Sequence, residues 1–346
     1  MKKYAFKSPR EIKVGVVGYG GAFNMGRQHL NEMASAGMTP VAVAEVDATR
    51  LAVAGDDFPG IGMFASVDEM LQKSPVDLVT VITPHHTHAT LALKCLRAGR
   101  HVVCEKPLAI TTAEVDSMIA AARKSGVMLS TYHNRHWDGR IRQAVELIHK
   151  KKAIGDVLRI RCAMGGYRKP GDWWRTSRSI SGGILYDWGV HLLEYSLQLV
   201  DSELTEVSGF ASCGFWGPQT KWKEDANEDE GFLVARFASG QWLSLLITQI
   251  DSHPADGWIH VTGTKGTVVI GASENTLHTV RGDKRTTERF GHPKDESIKF
   301  YKNIAAHLTV QEPLIITPEW SRRPIHILDL AVRSASMGKS MRAKYD

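Results

Sequence analysis

The stretch Val16-Val17-Gly18-Tyr19-Gly20-Gly21-Ala22-Phe23-Asn24-Met25-Gly26 decides the fold. It follows a short apolar run, residues 12–17, and opens a helical pattern. In that context a glycine-rich turn brings backbone amides at a helix N-terminus close to a pyrophosphate. Gly18 permits the tight turn and Gly20 the close approach. The spacing departs from GxGxxG, because Gly26 lies six positions after Gly20 rather than three. The loop is therefore longer than the motif by about three residues. The bland alternative is a plain glycine turn.

Outward from this turn, short runs rich in valine and isoleucine recur at 41–46, 78–82, 101–104 and 127–132. Such runs read as parallel strands buried on both faces. Helical patterns separate them. One follows Thr87 and stops at Gly99; another starts at the capping box Thr111-Thr-Ala-Glu114 and stops at Gly126. A βαβ series of this kind builds a doubly wound parallel sheet. After Asn134 the pattern changes. A helix over 137–152, a strand over 157–164, a polar aromatic loop over 165–181 and a helix near 183–200 come first. Alternating strands with glycine turns then run from 204 to about 290, including 231–238, 241–251 and 258–263. Helices near 296–308 and 318–337 close the chain, with Thr317-Pro318 as N-cap and first helical residue. The acidic stretch 224–230 reads as a surface loop. The fold class is α/β: a Rossmann domain over 1–134, then an α+β domain over 135–346 with a large, mainly antiparallel open sheet.

The bulk numbers set the class of partner. With 346 residues, the chain is long enough for two domains. Hydrophobic content of 43% and charged content of 23% are those of a soluble globular protein. The net charge of +6 is spread out, and the densest basic patch, Lys150-Lys151-Lys152, reads as a cationic helix end. Nucleic acid is therefore not an expected partner. No apolar stretch spans a bilayer, and no signal-peptide core follows Met1-Lys2-Lys3. Cys95, Cys104, Cys162 and Cys213 are far apart and read as reduced thiols, which points to the cytoplasm.

Four motifs carry chemistry. The second strand ends Ala44-Glu45-Val46-Asp47, where a carboxylate accepts hydrogen bonds from a ribose diol and repels a 2′-phosphate. Glu45 comes first and Asp47 second, which favours NAD over NADP; Arg50 nearby pulls the other way. Solvated strand-end carboxylates are the bland alternative. The turn Thr83-Pro84-His85-His86-Thr87-His88 lies at the carboxyl edge of the sheet. A metal there would need further ligands, so cofactor contact and helix capping are the expected uses and no metal site is expected. Glu105-Lys106-Pro107 ends the run at 101–104. An ammonium at that point can polarise a reacting oxygen, and Pro107 restricts the conformation of Lys106. Asp187 and His191, at i and i+4, share one helix face. An imidazole with an ordinary pKa near ~6.5 suits reversible proton transfer. Gly182-Gly183 just before read as room for a ligand. A surface lysine and a helical ion pair are the plain readings of these two motifs.

In this order and spacing the motifs resemble the Gfo/Idh/MocA family, named for glucose–fructose oxidoreductase, inositol dehydrogenase and a rhizopine-catabolism protein. The resemblance rests on Gly18-Tyr-Gly20 with Gly26-Arg-Gln-His29, on Thr83-Pro84 with His88, and on Ala98-Gly99-Arg-His101-Val-Val-Cys-Glu105-Lys106-Pro107. It continues through Gly182-Gly183-Ile-Leu-Tyr-Asp187-Trp-Gly189-Val-His191 and the segment from Ile325 to Lys339. It implies NAD(P)-dependent redox chemistry on sugars, inositols or related polyols, with Lys106, Asp187 and His191 as the catalytic set. The cofactor set then comprises Gly18, Tyr19, Gly20, Ala22, Phe23, Asn24, Glu45, Val46, Asp47, Arg50, Thr83, Pro84, His85, His88, Glu105, Lys106 and Asn134. Arg135 joins Lys106, Asp187 and His191 in the substrate set. So do Tyr167, Trp174 and Arg175, from a loop whose rings suit the apolar faces of a sugar. Homodimers or homotetramers are implied as well, formed by pairing open sheet faces.

Two other functions fit the same residues. A glycoside-cleaving enzyme that recycles its NAD would oxidise a sugar carbon transiently and eliminate the aglycone, with no net NADH. A non-catalytic NAD sensor would not need the intact Lys106, Asp187 and His191 set.

Overall fold

The computed structural model describes residues 6–21 and 23–343. The chain forms two compact units. The first takes the chain up to Asn134. Its elements are β1 (Lys13–Val17), α1 (Met25–Ser35), β2 (Thr39–Ala44), α2 (Ala48–Asp57), β3 (Gly62–Phe64) and α3 (Val67–Lys73). They continue with β4 (Leu78–Val81), α4 (His88–Arg97), β5 (His101–Cys104), α5 (Thr112–Ser125) and β6 (Leu129–Thr131). All strands pair in parallel, in the order β3-β2-β1-β4-β5-β6. Every residue of the central β4 and β5 is buried, as expected of strands covered on both faces. Helix starts follow local chemistry. Asp47 caps α2, Ser66 caps α3, and Thr111 with Glu114 forms the expected capping box on α5, which ends at left-handed Gly126.

The second unit starts at Arg135. It contains α6 (Gly139–Val145), which runs on as a π turn over Glu146–Lys150, then β7 (Val157–Gly165), α7 (Arg178–Ser181) and α8 (Trp188–Leu197). Seven strands follow: β8 (Leu204–Ser212), β9 (Glu230–Phe237), β10 (Trp242–Thr248), β11 (Ile259–Gly263), β12 (Gly266–Ile270), β13 (Glu274–Arg281) and β14 (Lys284–Gly291). The helix expected from 183 is shorter, because a 3-10 turn over Ile184–Tyr186 precedes α8.

Two helices and a short strand complete the chain: α9 (Lys299–Val310), α10 (Pro318–Met337) and β15 (Met341–Arg342). Thr317 caps α10 as its sequence predicts, accepting the Trp320 N–H at 3.0 Å. The second sheet has nine strands in the order β14-β13-β12-β11-β7-β10-β9-β8-β15. It is mixed and mainly antiparallel; β7 and β10 pair in parallel. Its inner face, including Ile160, Cys162, Val207, Leu233, Leu243 and Leu245, is buried, as is α8 from Gly189 to Leu197.

One expected boundary needs correction. Residues 298–323 group with the first unit, so the second unit is not simply 135–346. The cause is packing: Phe300 and Tyr301 of α9 are buried, the Phe300 ring meets Tyr132 edge-on at 5.1 Å, and the Ser130 hydroxyl donates to the Ile316 carbonyl at 2.8 Å. Among the described residues, no helix is long and apolar enough to cross a membrane.

Candidate active site

In the first unit the site begins where β1 ends. Gly18 has φ 91°, and a Cβ there would stand 2.5 Å from the Ile82 carbonyl oxygen. Only glycine lets the turn after β1 lie this close to the chain leaving β4. The Gly18 N–H donates to the Ala44 carbonyl at 2.8 Å. Gly20 also has positive φ, and nothing stands within 4 Å of its missing Cβ. This open backbone before the eleven-residue α1 is a cradle that fits a dinucleotide pyrophosphate.

Next to the turn, both oxygens of the buried Glu45 are engaged. Its Oε2 accepts the Tyr19 N–H at 2.7 Å and its Oε1 the Asp47 N–H at 3.0 Å. Asp47 accepts the N–H groups of Thr49 and Arg50 as the α2 cap. Glu45 is thus a fixed charge rather than a solvated one. The Arg50 guanidinium lies 3.4 Å from the Cβ position of Gly21. Val46 and Phe23 are exposed, and Asn24 turns the chain into α1 with φ 51°. Ala22 lies outside the described residues.

Gly26 plays a different part from the third glycine of the motif. A Cβ on it would come 2.7 Å from the Tyr19 ring. Tyr19 is buried under the loop and donates its hydroxyl to Asp57 at 2.7 Å, where Arg27 also binds. Burial and the Asp57 charge both push the phenol well above its ordinary range.

The histidine turn is a structural joint. His88 is buried, with Nδ1 2.7 Å from the Pro107 carbonyl and Nε2 2.8 Å from the Thr83 carbonyl. Its ring therefore ties the chain after β4 to the chain after β5. The Thr87 hydroxyl lies 2.7 Å from both the Thr83 hydroxyl and the Pro84 carbonyl and does not cap α4. His85 is buried with its ring 5.7 Å from that of His88. Beyond β5, Glu105 accepts the Lys106 N–H at 2.9 Å and faces His29 at 3.1 Å. The Lys106–Pro107 bond is cis.

In the second unit, Asp187 is the N-cap residue of α8 and His191 sits in its first turns, largely buried. Asp187 Oδ1 receives Arg175 Nη1 at 2.5 Å. The Arg175 guanidinium lies 5.3 Å from the Trp173 ring and 5.1 Å from that of Trp174. The Trp188 ring stands 5.4 Å from His191 and 5.1 Å from the Arg135 guanidinium. Arg135 also binds the buried Asp138 at 3.1 Å, to which Tyr195 donates at 2.5 Å. Burial raises the Asp138 carboxyl against the opposing pull of Tyr195 and Arg135. Tyr167 packs with Phe215 and Trp216, at 6.0 and 5.4 Å. Asn134, at the end of the first unit, opens a 3-10 turn.

Two expectations fail here, for one reason. Residues 224–230 are not simply a surface loop. Asn227 donates to the Arg175 carbonyl at 2.7 Å, and Glu228 accepts the Ile184 N–H at 2.9 Å. Asp229, 2% exposed, accepts the Phe215 and Trp216 N–H groups at 2.7 and 2.8 Å. Glu228 also fills the space in front of Gly183, whose Cβ would lie 2.8 Å from its Oε2. Gly183 thus makes room for this carboxylate rather than for a ligand, and both glycines take positive φ in the turn. The sequence signal was present: two acids just before a strand, where buried carboxylates can take up loop amides.

The first unit is thus a nucleotide-binding Rossmann sheet, and the second an open-sheet unit with an Asp–x₃–His helix start. Together they define an NAD-binding oxidoreductase. Residues 12–133 match the model of the oxidoreductase family with an NAD-binding Rossmann fold, and 141–269 match the GFO/IDH/MocA C-terminal domain. The chain belongs to the Gfo/Idh/MocA oxidoreductase family. It is similar to scyllo-inositol 2-dehydrogenase (NADP(+)) IolW of Bacillus subtilis, with 25% identity over 94% of each chain. It is also similar to the myo-inositol 2-dehydrogenase of Thermotoga maritima, with 28% identity over 85% of this chain and 88% of the relative. Among solved structures, an NAD-binding protein from Listeria innocua superposes with a TM-score of 0.80 at 26% identity, covering 98% of this chain and 97% of that one.

The Asp229 bracing is testable. Asp229→Ala removes the shared acceptor of two partly buried N–H groups, so the variant is expected to lose about 2 kcal/mol of stability in urea unfolding. An unchanged unfolding midpoint would contradict the bracing.

Proposed function

We propose that the chain transfers a hydride reversibly between NAD and a secondary alcohol of a cyclitol or sugar. One observation carries the reading. Lys106 stands on a turn pinned by Glu105 and His88 at the carboxyl edge of the Rossmann sheet, in a chain that matches this oxidoreductase family in both halves. Kinship with two inositol dehydrogenases supports the polyol substrate. When bound, NAD supplies the hydride acceptor. The Lys106 ammonium polarises the reacting oxygen. His191 takes the hydroxyl proton and returns it in the reverse direction. Asp187 with Arg175 offers a carboxylate and a guanidinium to ring hydroxyls. Tyr167 and Trp174 offer apolar ring faces, and Arg135 a further donor.

Lys106→Ala is expected to lower kcat about 10³-fold while NAD still binds. His191→Asn is expected to lower it by roughly 10²–10⁴-fold and to alter the pH–rate profile. The assay follows NADH with a panel of inositols, pyranosides and their keto forms. Near wild-type turnover in either variant would remove that residue from the mechanism. Aglycone release without net NADH would favour the recycling glycosidase.

For the cofactor we propose NAD over NADP. Glu45 is fixed by two N–H groups, so it cannot swing away from a 2′-phosphate. Arg50 and the NADP-linked relative weigh on the other side. NAD is expected to bind at least about tenfold tighter, with Glu45→Gln narrowing the gap and Arg50→Ala widening it. Equal dissociation constants for the two cofactors by titration would refute this.

For assembly we propose a homodimer or homotetramer. Phe210, Phe232 and Leu246 face one another across β8, β9 and β10 on the outer side of the second sheet, with Trp242 further along β10. Phe210 is 60% exposed. A second copy of the same face would bury this patch symmetrically. Light scattering at micromolar concentration is expected to show an oligomer, and a monomer would overturn the proposal.

A further inference from the structure

We propose that His29 is a positioning residue for the Lys106 turn: it fixes the Glu105 carboxylate, which in turn holds the Lys106 main chain. The inference rests on the role proposed above for Lys106.

His29 is fully buried on α1. Its Nδ1 lies 2.7 Å from the Tyr301 hydroxyl and its Nε2 lies 3.1 Å from Glu105 Oε1. The Tyr132 ring closes on it edge-on at 4.2 Å. The Tyr301 hydroxyl, itself buried, also lies 3.2 Å from Thr80 Oγ1. The bond directions follow from the partners. With a neutral ring, Tyr301 donates to Nδ1 and the ring proton sits on Nε2, toward Glu105. With a charged ring, Nδ1–H donates to Tyr301, whose own hydroxyl then donates to Thr80 Oγ1. In both states Nε2–H donates to the carboxylate. Glu105 Oε2 then accepts the Lys106 N–H at 2.9 Å. The chain Tyr301–His29–Glu105–Lys106 thus links α9, α1 and the turn after β5.

The surroundings isolate this pair. Burial works to raise the Glu105 carboxyl, but the His29 hydrogen bond and the charges of His29 and Lys106 outweigh it, leaving the group below its ordinary range. The other ionisable neighbours on the packed elements are Cys104, Tyr132, Tyr301 and His88. Burial pushes the thiol and the phenols up and the His88 ring down, so all four are neutral near pH 7. Glu32 lies one step further out, receiving the Tyr132 hydroxyl at 2.5 Å. A positioning role follows because a small displacement of a reacting group costs rate even when binding survives.

The test uses the full chain with NAD and three variants. His29→Leu removes the donor, His29→Gln keeps a side-chain N–H, and Tyr301→Phe deletes one hydroxyl. Readouts are NAD affinity, kcat and KM for an alcohol that the wild type oxidises, and the ¹³C titration of the Glu105 carboxyl, assigned with Glu105→Gln. His29→Leu is expected to lower kcat about 10- to 100-fold, with KM and NAD affinity unchanged and the Glu105 titration moved to higher pH. His29→Gln is expected to recover most of both, with Tyr301→Phe in between. A folded His29→Leu with wild-type kcat or an unmoved Glu105 titration would overturn the inference, as would a His29→Gln no better than His29→Leu. Should His29→Leu not fold, Tyr301→Phe decides: unchanged kcat and titration overturn it. If the wild type oxidises no polyol, the functional reading fails, and the Glu105 titration alone still decides this one.

Discussion

A single buried imidazole sets the spacing of the two central loops in the first unit. His88 lies between the Thr83 and Pro107 carbonyls. A neutral ring has one N–H for two acceptors, and the two carbonyls favour the charged ring. Burial is the larger effect and holds the His88 pKa below its ordinary value. Near neutral pH the ring therefore donates one hydrogen bond, and its second nitrogen stands directly against the other carbonyl as a spacer. The arrangements around it presuppose this spacing. Gly18 fits only because the chain at Ile82 stays where it is, and Lys106 is presented on the turn that Pro107 anchors.

The two units solve the same problem by different means. Loops at the edge of a sheet carry backbone groups that burial would leave unpaired. In the first unit, regular pairing extends past the strand ends. Gly18 N–H reaches Ala44, Ile82 N–H reaches Val17, Glu105 N–H reaches Val81, and a few side chains finish the work. In the second unit, irregular loops are held mainly by acids and amides from one short tract. Asp225 receives Ser179, Asn227 donates to Arg175, Glu228 receives Ile184, and Asp229 receives Phe215 and Trp216. Arg175 reaches Asp187 from a loop braced in this way. The geometry of the acid at the head of α8 thus depends on residues about forty positions later in the chain.

What the sequence reveals follows from how local each interaction is. Caps, glycine turns and buried parallel strands are written in residues a few positions apart, so β1, β4, β5 and the capping box of α5 were legible. β3 was not. It is a three-residue edge strand with no fully buried position, so it has no apolar run to read. The acidic tract misled because an Asp buried by accepting two loop amides has the same composition as one in water. The parallel pairing of β7 with β10 and the return of α9 to the first unit leave no local trace either. Neither does the chain from Tyr301 to Glu105: His29 could be quoted as part of a motif, but its partners lie 76 and 272 positions away.

The lengthened glycine loop is held by contacts of the same long-range kind. In the shorter motif the third glycine lets helix and strand pack closely. Here the space under the loop holds the Tyr19 ring, with its hydroxyl on Asp57 and Arg27. The left-handed Asn24 supplies the bend at the end of the loop. Gly26 then lies where the ring passes, since a Cβ would strike it. The third glycine has thus not been lost but displaced. It still serves close packing, against a phenol rather than a strand, while Gly18 and Gly20 keep the turn and the open approach.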